Sequence, residues 1–316
     1  MTPKTLGYTT MIVSATLMGC VGLFSRNINT SGDVIAFTRM LVGAICIFAI
    51  MLYQGKGQQI KNIKLTPAVI TSGVCLGLCL AAYVSATQYT TLANAVFLIY
   101  TGPVFSTILA AIFLKEKISA LTASMLTAVF IGCLFIIGII SYTPQTGLTL
   151  SLSFSKENMV GDILGLMSGI GYGLYLFFSR YRTDIGSDSR SLFNFSFGAI
   201  AIAICFVINP PSLAAMDGTS WLWLISMGFF IGFGALSLLT IAAKHLKAAE
   251  LACISYLETV VGAGLGILVF SESLTVLQAI GGVLVIGGGM GEIVINIIKK
   301  QTLSHKPQSH KPHPQS

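Results

Sequence analysis

The feature that most constrains this chain is a succession of apolar runs, each about twenty residues long. They occupy 6–25, 33–53, 66–88, 92–114, 119–141, 160–180, 189–209, 220–243, 249–270 and 275–298, ten in all. A helix needs roughly 20 residues to cross a hydrocarbon core of about 30 Å, and along such a run only a helix satisfies every backbone polar group in lipid. With 54% hydrophobic and 9% charged residues, the chain also lies far from the roughly 25% charged of soluble domains. The runs predict an all-α polytopic membrane protein of ten transmembrane helices.

Basic residues give the orientation. With a cytoplasmic N-terminus, 15 of the 18 Lys and Arg, from Lys4 to Lys311, fall on the cytoplasmic side. Only Arg26 and Lys156 fall outside, and Arg39 lies within the second run. This is the positive-inside pattern, and it predicts that both termini face the cytoplasm. The formal charge of +7 is therefore an orientation signal, and no nucleic-acid partner is expected. All seven cysteines fall inside the runs, as small packing residues rather than a disulfide framework or a zinc site. LMGC at 17–20 faintly resembles a lipoprotein cleavage site, but the surrounding run reads as a retained first helix. No apolar residue follows Leu303, so 301–316 is expected to be a disordered cytoplasmic tail; metal binding by its His305, His310 and His313 ranks below that reading.

One phrase is written twice. GCVGLFSR at 19–26 returns as GLYLFFSR at 173–180, an offset of 154. A longer stretch, 93–121, aligns without gaps to 249–277 at an offset of 156, matching Ala93/Ala249, Tyr100/Tyr256, Val104/Val260, Leu109/Leu265, Glu116/Glu272 and Leu121/Leu277. Such close offsets predict collinear halves: a first repeat at 1–141, an external loop at 142–159 and a second repeat at 160–300. Each half holds five runs, an odd number, so the second copy is expected upside down. Inverted repeats are the architecture of alternating-access transporters, with the solute site near mid-membrane between the repeats. The same sidedness puts Arg26 and Glu272 at the external face and Arg180 and Glu116 at the internal face. These are candidate gating pairs; the simpler alternative is that they anchor and cap helix ends.

The segment ATQYTTLANAVFLIYTGPVFSTILAAIFLKEKISALTASML resembles the third-to-fifth-helix signature of the EamA-type transporters, in the drug/metabolite transporter superfamily. The matching features are Ala86-x-Gln88-Tyr89, Ala93, Pro103 and Glu116, repeated in the second half by Tyr256-Leu257-Glu258 and Glu272. Arg39, in FTRMLVGA, is similar to the family's Arg early in the second helix. Thr259 departs from the pattern, since the family often carries Pro there, opposite Pro103. The resemblance spans 6–300 and implies secondary transport of a small organic solute across a bacterial inner membrane, often export of amino acids or metabolites.

Few polar groups lie deep in the runs, and each needs a reason. A charged carboxylate at the bilayer centre costs about 2.5–3.5 kcal/mol, so Glu258 should face a cavity, pair, or stay protonated. It is a candidate proton carrier or ligand for a substrate amine, with a neutral structural carboxyl as the alternative. Arg39 lies about 9 Å below the outer end of its run; it is expected to snorkel outward or pair with Asp33 as a structural counter-ion, a reading that ranks above its being a candidate for a substrate carboxylate. Tyr100 and Tyr256, at matched positions near mid-depth, need hydrogen-bond partners that a solute or cavity water supplies. Tyr83, Tyr172, Tyr175, Gln88, Asn94 and Ser255 are further substrate-binding candidates. Glycines recur every fourth residue at Gly161, Gly165, Gly169 and Gly173, and as Gly73/Gly77, Gly228/Gly232 and Gly262/Gly266, making smooth seams for close helix approach.

A membrane-embedded enzyme would need clustered catalytic groups at depth, yet the sole His before the tail, His245, sits at a helix end. A channel would need a continuous polar lining, and the polar residues here are isolated. GIGYG follows no strand, which removes a phosphate-loop reading, and no cofactor is expected. The expectation is a solute carrier working by alternating access, with protons or a counter-solute as candidate coupling partners. One chain supplies both halves, so a monomer is the expected unit.

Overall fold

The computed structural model describes residues 2–63, 65–115, 118–143, 147–150, 158–179, 185–246 and 248–304. Seven of its helices are long and apolar enough to cross a membrane: Pro3–Arg26, Gly32–Tyr53, Pro67–Tyr89, Leu92–Phe113, Met159–Ser179, Asp188–Ile208 and Gly218–Leu239. Shorter apolar helices at Ala123–Ile136, Leu257–Phe270 and Val276–Gly291 fall on the remaining runs. Their outer surfaces are apolar: Val207 and Ile208 are each 82% exposed and Leu268 84%. Side chains of that kind, unburied by the protein, belong against lipid.

In chain order the helices are α1 (Pro3–Gly19), α2 (Val21–Arg26), α3 (Gly32–Tyr53), α4 (Gly57–Asn62), α5 (Pro67–Tyr89), α6 (Leu92–Ile99), α7 (Gly102–Phe113), α8 (Ala120–Ile136), α9 (Met159–Ser179) and α10 (Ser187–Ile208). There follow α11 (Gly218–Met227), a π-helix (Gly228–Ala235), α12 (Leu236–His245), α13 (Ala248–Ser255), α14 (Leu257–Phe270) and α15 (Val276–Ser304). Proline opens α1, α5 and α7, where its missing N–H costs nothing. Asp217 caps α11 by accepting from Ser220 N–H at 2.8 Å; hydrogen bonds from Ser220 hold its carboxyl below the usual range.

The structure departs from the predicted runs in particular places. The fourth run breaks at Tyr100–Thr101, and the ninth breaks at Tyr256, the matched position. Pro103 opens the helix after the first break. At the second, Thr259 does without proline: its N–H (3.1 Å) and its hydroxyl both donate to the Tyr256 carbonyl. Part of the expected external loop is an antiparallel hairpin, β1 (Ile140–Thr143) with β2 (Gly147–Leu150), so the chain is not purely helical. The last helix runs on to Ser304, so 301–304 are helical rather than part of a disordered tail.

The packing follows the repeat. α5 lies on α9, and its counterpart contact is α1 on α12; α6 and α7 lie on α9, and α14 lies on α1. α5 also crosses α10, as α3 crosses the π-helix, while α3–α10 and α8–α15 each join a helix to its own counterpart, and α6 of the fourth run meets α14 of the ninth. Glycine makes these contacts close. A Cβ on Gly161 would stand 2.5 Å from Thr90 N, and one on Gly7 would stand 2.8 Å from Leu246 Cγ, its repeat equivalent.

Candidate solute cavity

The helix breaks at Tyr100 and Tyr256 leave α14 starting inside the molecule, with Glu258 in its first turn. A helix N-terminus favours negative charge. Tyr100 donates to Glu258 Oε2 at 2.8 Å and lies 2.9 Å from the Ser255 carbonyl oxygen. These groups border a cavity of about 240 Å³ whose walls also include Arg39, Tyr83, Tyr172, Tyr175, Met18, Ser191 and Leu236. The rings of Tyr172 and Tyr175 stack at 5.8 Å.

Arg39 is the outstanding group. It is only 6% exposed. One terminal nitrogen, Nη2, rests 2.8 Å from the Met18 sulfur, a weak acceptor, and Nε is buried without a partner. Among the described residues Arg39 forms no ion pair, although Glu258 lines the same cavity. A buried guanidinium left this short of acceptors is poised for an anionic group, because an unpaired buried charge is costly.

Three further candidates lie elsewhere. Tyr256 is buried with its ring 5.1 Å from that of Tyr100, but its hydroxyl points at the backbone of Gly289 in α15 and it does not border the cavity. Gln88 and Asn94 belong to one end of the molecule, not to the cavity. There Gln88 donates to the carbonyls of Ser25 (3.3 Å) and Thr30 (2.9 Å).

At that end side chains from several elements converge on the turn between α5 and α6. Arg26 meets Glu272 at 2.6 Å, stacks over the Phe270 ring at 4.7 Å, and donates to the carbonyls of Thr87 (2.8 Å) and Thr90 (2.7 Å). Both Glu272 oxygens accept from Leu92 N–H. Asp162, 5% exposed, accepts from Thr90 Oγ1 at 2.7 Å and Asn94 Nδ2 at 3.0 Å, and Gln278 donates to Asn94 Oδ1 at 3.2 Å. Sequence reasoning missed Asp162 and Gln278. A carboxylate just inside the sixth run was the available signal. The other pair of candidate gates, Glu116 and Arg180, lies outside the described residues.

Toward the opposite end lies further space. A second space of about 190 Å³ shares Ser191 and Leu236 with it and reaches Gln54, Asp188 and Lys244. Lys56 and Asp188 pair at 2.5 Å on that face, and Tyr8 donates to Glu250 at 2.8 Å.

A helical bundle with apolar outer walls and an internal cavity into which Arg39, Glu258 and several tyrosines are set defines a multi-pass membrane protein of the transporter class. The EamA-like transporter family matches residues 5–138 and again 159–291, and the chain belongs to that family. It is 26% identical to an uncharacterized transporter of Archaeoglobus fulgidus over 283 residues, covering 89% of this chain and 94% of the relative. It is 27% identical over 258 residues to the pseudopaline exporter CntI of Pseudomonas aeruginosa, covering 80% of this chain and 82% of that one. A solved crystal structure shares the fold with a TM-score of 0.61 at 16% identity, over 92% of this chain and 98% of the other.

Proposed function

We propose that this protein is a secondary active transporter moving a small zwitterionic solute, an amino acid or related metabolite, by alternating access. In this reading ten spans form two inverted five-helix repeats in the inner membrane of a bacterium, with both termini cytoplasmic, and one chain is the working unit. Arg26 and Glu272 then gate the external face, and the state described is open toward the cytoplasm. The single observation that carries the cargo class is the buried Arg39, its Nε unpartnered, sharing one cavity with Glu258. Arg39 takes the solute carboxylate; Glu258 and Tyr100 take the amine, and the tyrosines pack its body. Glu258 is also the group through which protons couple. The name of the pseudopaline exporter supports export as the direction.

Reconstitution in liposomes tests this. Uptake is measured for labelled amino acids, the matching carboxylic acids and the matching amines, with and without a pH gradient. Zwitterions should be preferred. Arg39→Gln should raise the half-saturation concentration at least about ten-fold, the scale of one lost charge-assisted hydrogen bond, and Glu258→Gln should abolish the response to the gradient. Equal transport of amines lacking a carboxylate would refute the assignment of Arg39.

A further inference from the structure

The halves also match at an offset of 155. Gly43-Ala44-Ile45 of α3 answers Gly198-Ala199-Ile200 of α10, and Gly73/Gly77 of α5 answer Gly228/Gly232 of the eighth run. These glycines mark two helix crossings related by the repeat: α5 over α10 at Gly77 and Gly198, and the π-helix over α3 at Gly232 and Gly43. The two crossings are not equally tight. A Cβ on Gly77 would stand 2.5 Å from Gly198 Cα, so backbone lies against backbone. A Cβ on Gly232 would meet nothing nearer than Arg39 O at 3.2 Å, with Gly43 N at 3.8 Å. One turn away the difference recurs: a Cβ on Gly73 would be 2.7 Å from Phe197 Cβ, but one on Gly228 would be 3.2 Å from Val42 Cγ2.

The looser crossing is also where the space is. Gly43 and Gly232 line the cavity of about 190 Å³ that reaches Asp188 and Lys244. The helix there is distorted as well. α12 ends 13 residues after Gly232, whereas α5 ends 12 after Gly77. The wider turns of the π-helix absorb that extra residue, and such bulges often mark moving or functional segments.

We propose that these glycine crossings are the exchanging contacts of the transport cycle. In the opposite state Gly43 and Gly232 close to backbone contact while Gly77 and Gly198 part, which moves the opening from one face to the other. The absence of a Cβ at all four positions lets either crossing shut completely, and packed interfaces of this kind switch between discrete arrangements rather than deform. The proposal rests on the alternating-access reading.

The test uses two matched reporters. Cys46 lines the Gly43–Gly232 cavity, and Ala201 is its counterpart at the same offset. In a protein with its other cysteines replaced, Cys46 and Ala201→Cys are labelled by a membrane-impermeant maleimide from each side. A methyl at Gly43 would have Leu236 Cδ1 at 3.2 Å and Gly232 O at 3.5 Å, so Gly43→Ala fits the present state and not the exchanged one. It should keep Cys46 reactive, slow labelling of Ala201→Cys about ten-fold, a bias of about 1.4 kcal/mol, and slow uptake by a similar factor. Gly77→Ala should do the reverse, slowing Cys46 and raising Ala201→Cys. Shifts in the same direction, or none in folded protein, overturn the exchange; if Gly77→Ala does not accumulate, Gly43→Ala alone decides. Unsubstituted glycines separate the two claims. If solute never redistributes labelling between the reporters, alternating access fails and the exchange falls with it. If it does, but Gly43→Ala introduces no bias, the exchange alone fails.

Discussion

Glu258 and Arg39 owe their chemistry to what surrounds them, not to their depth. Glu258 accepts a hydrogen bond from the Tyr100 hydroxyl and stands in the first turn of a helix, where backbone N–H groups face it. Arg39 receives almost nothing, and that imbalance makes it the stronger candidate for contact with cargo. Tyr100→Phe removes a donor to Glu258 while keeping the ring. A hydrogen bond to a charged group contributes about 1.5–3 kcal/mol; the half-saturation concentration for uptake should therefore rise about ten-fold or more, with little change in protein yield. Unchanged kinetics would mean that Glu258 does not need Tyr100. The carboxyl, the Arg and the tyrosines were visible in the sequence as polar groups in apolar runs. That Tyr256 turns toward Gly289 while Tyr100 turns to the cavity was not visible, because matched positions in two repeats meet different neighbours.

At the scale of elements, the turn between α5 and α6 organises one end of the molecule. Arg26 at the end of α2, Asp162 in the first turn of α9, Glu272 after α14 and Gln278 in α15 all reach it. Asp162→Ala strands the Thr90 hydroxyl and the Asn94 amide, at about 1–3 kcal/mol for each buried unpaired group. The expected result is a thermal midpoint in detergent several degrees lower, together with faster labelling of a cysteine at Asn27 in the presence of solute. Asp162→Asn, which keeps an acceptor, should lose less. An Ala variant as stable as the parent would remove Asp162 from the closure. The sequence pattern that places Arg26 and Glu272 on one face is a property of span parity. Which further residues join them depends on the rotation of each helix about its axis, and that is set by packing.

For the whole molecule, the proposed topology makes a sharp statement about sides. Asn27 follows α2 and the exposed Tyr53 ends α3, at opposite ends of the bundle. Asn27→Cys should react with an impermeant reagent only from outside intact cells, and Tyr53→Cys only in inverted vesicles. Both reacting from one side would rule out α3 as a membrane crossing, and with it the ten-span topology.

The apolar runs by themselves determined that the chain lives in a membrane, and the doubled motif determined that it is built from two like halves, because both are properties of residue type and spacing. Only the tertiary structure decided which polar groups share the cavity, which side chains gather at the turn between α5 and α6, and that related glycine crossings differ in tightness. Those outcomes turn on differences of about an ångström in how helices cross, and no spacing along the chain encodes them.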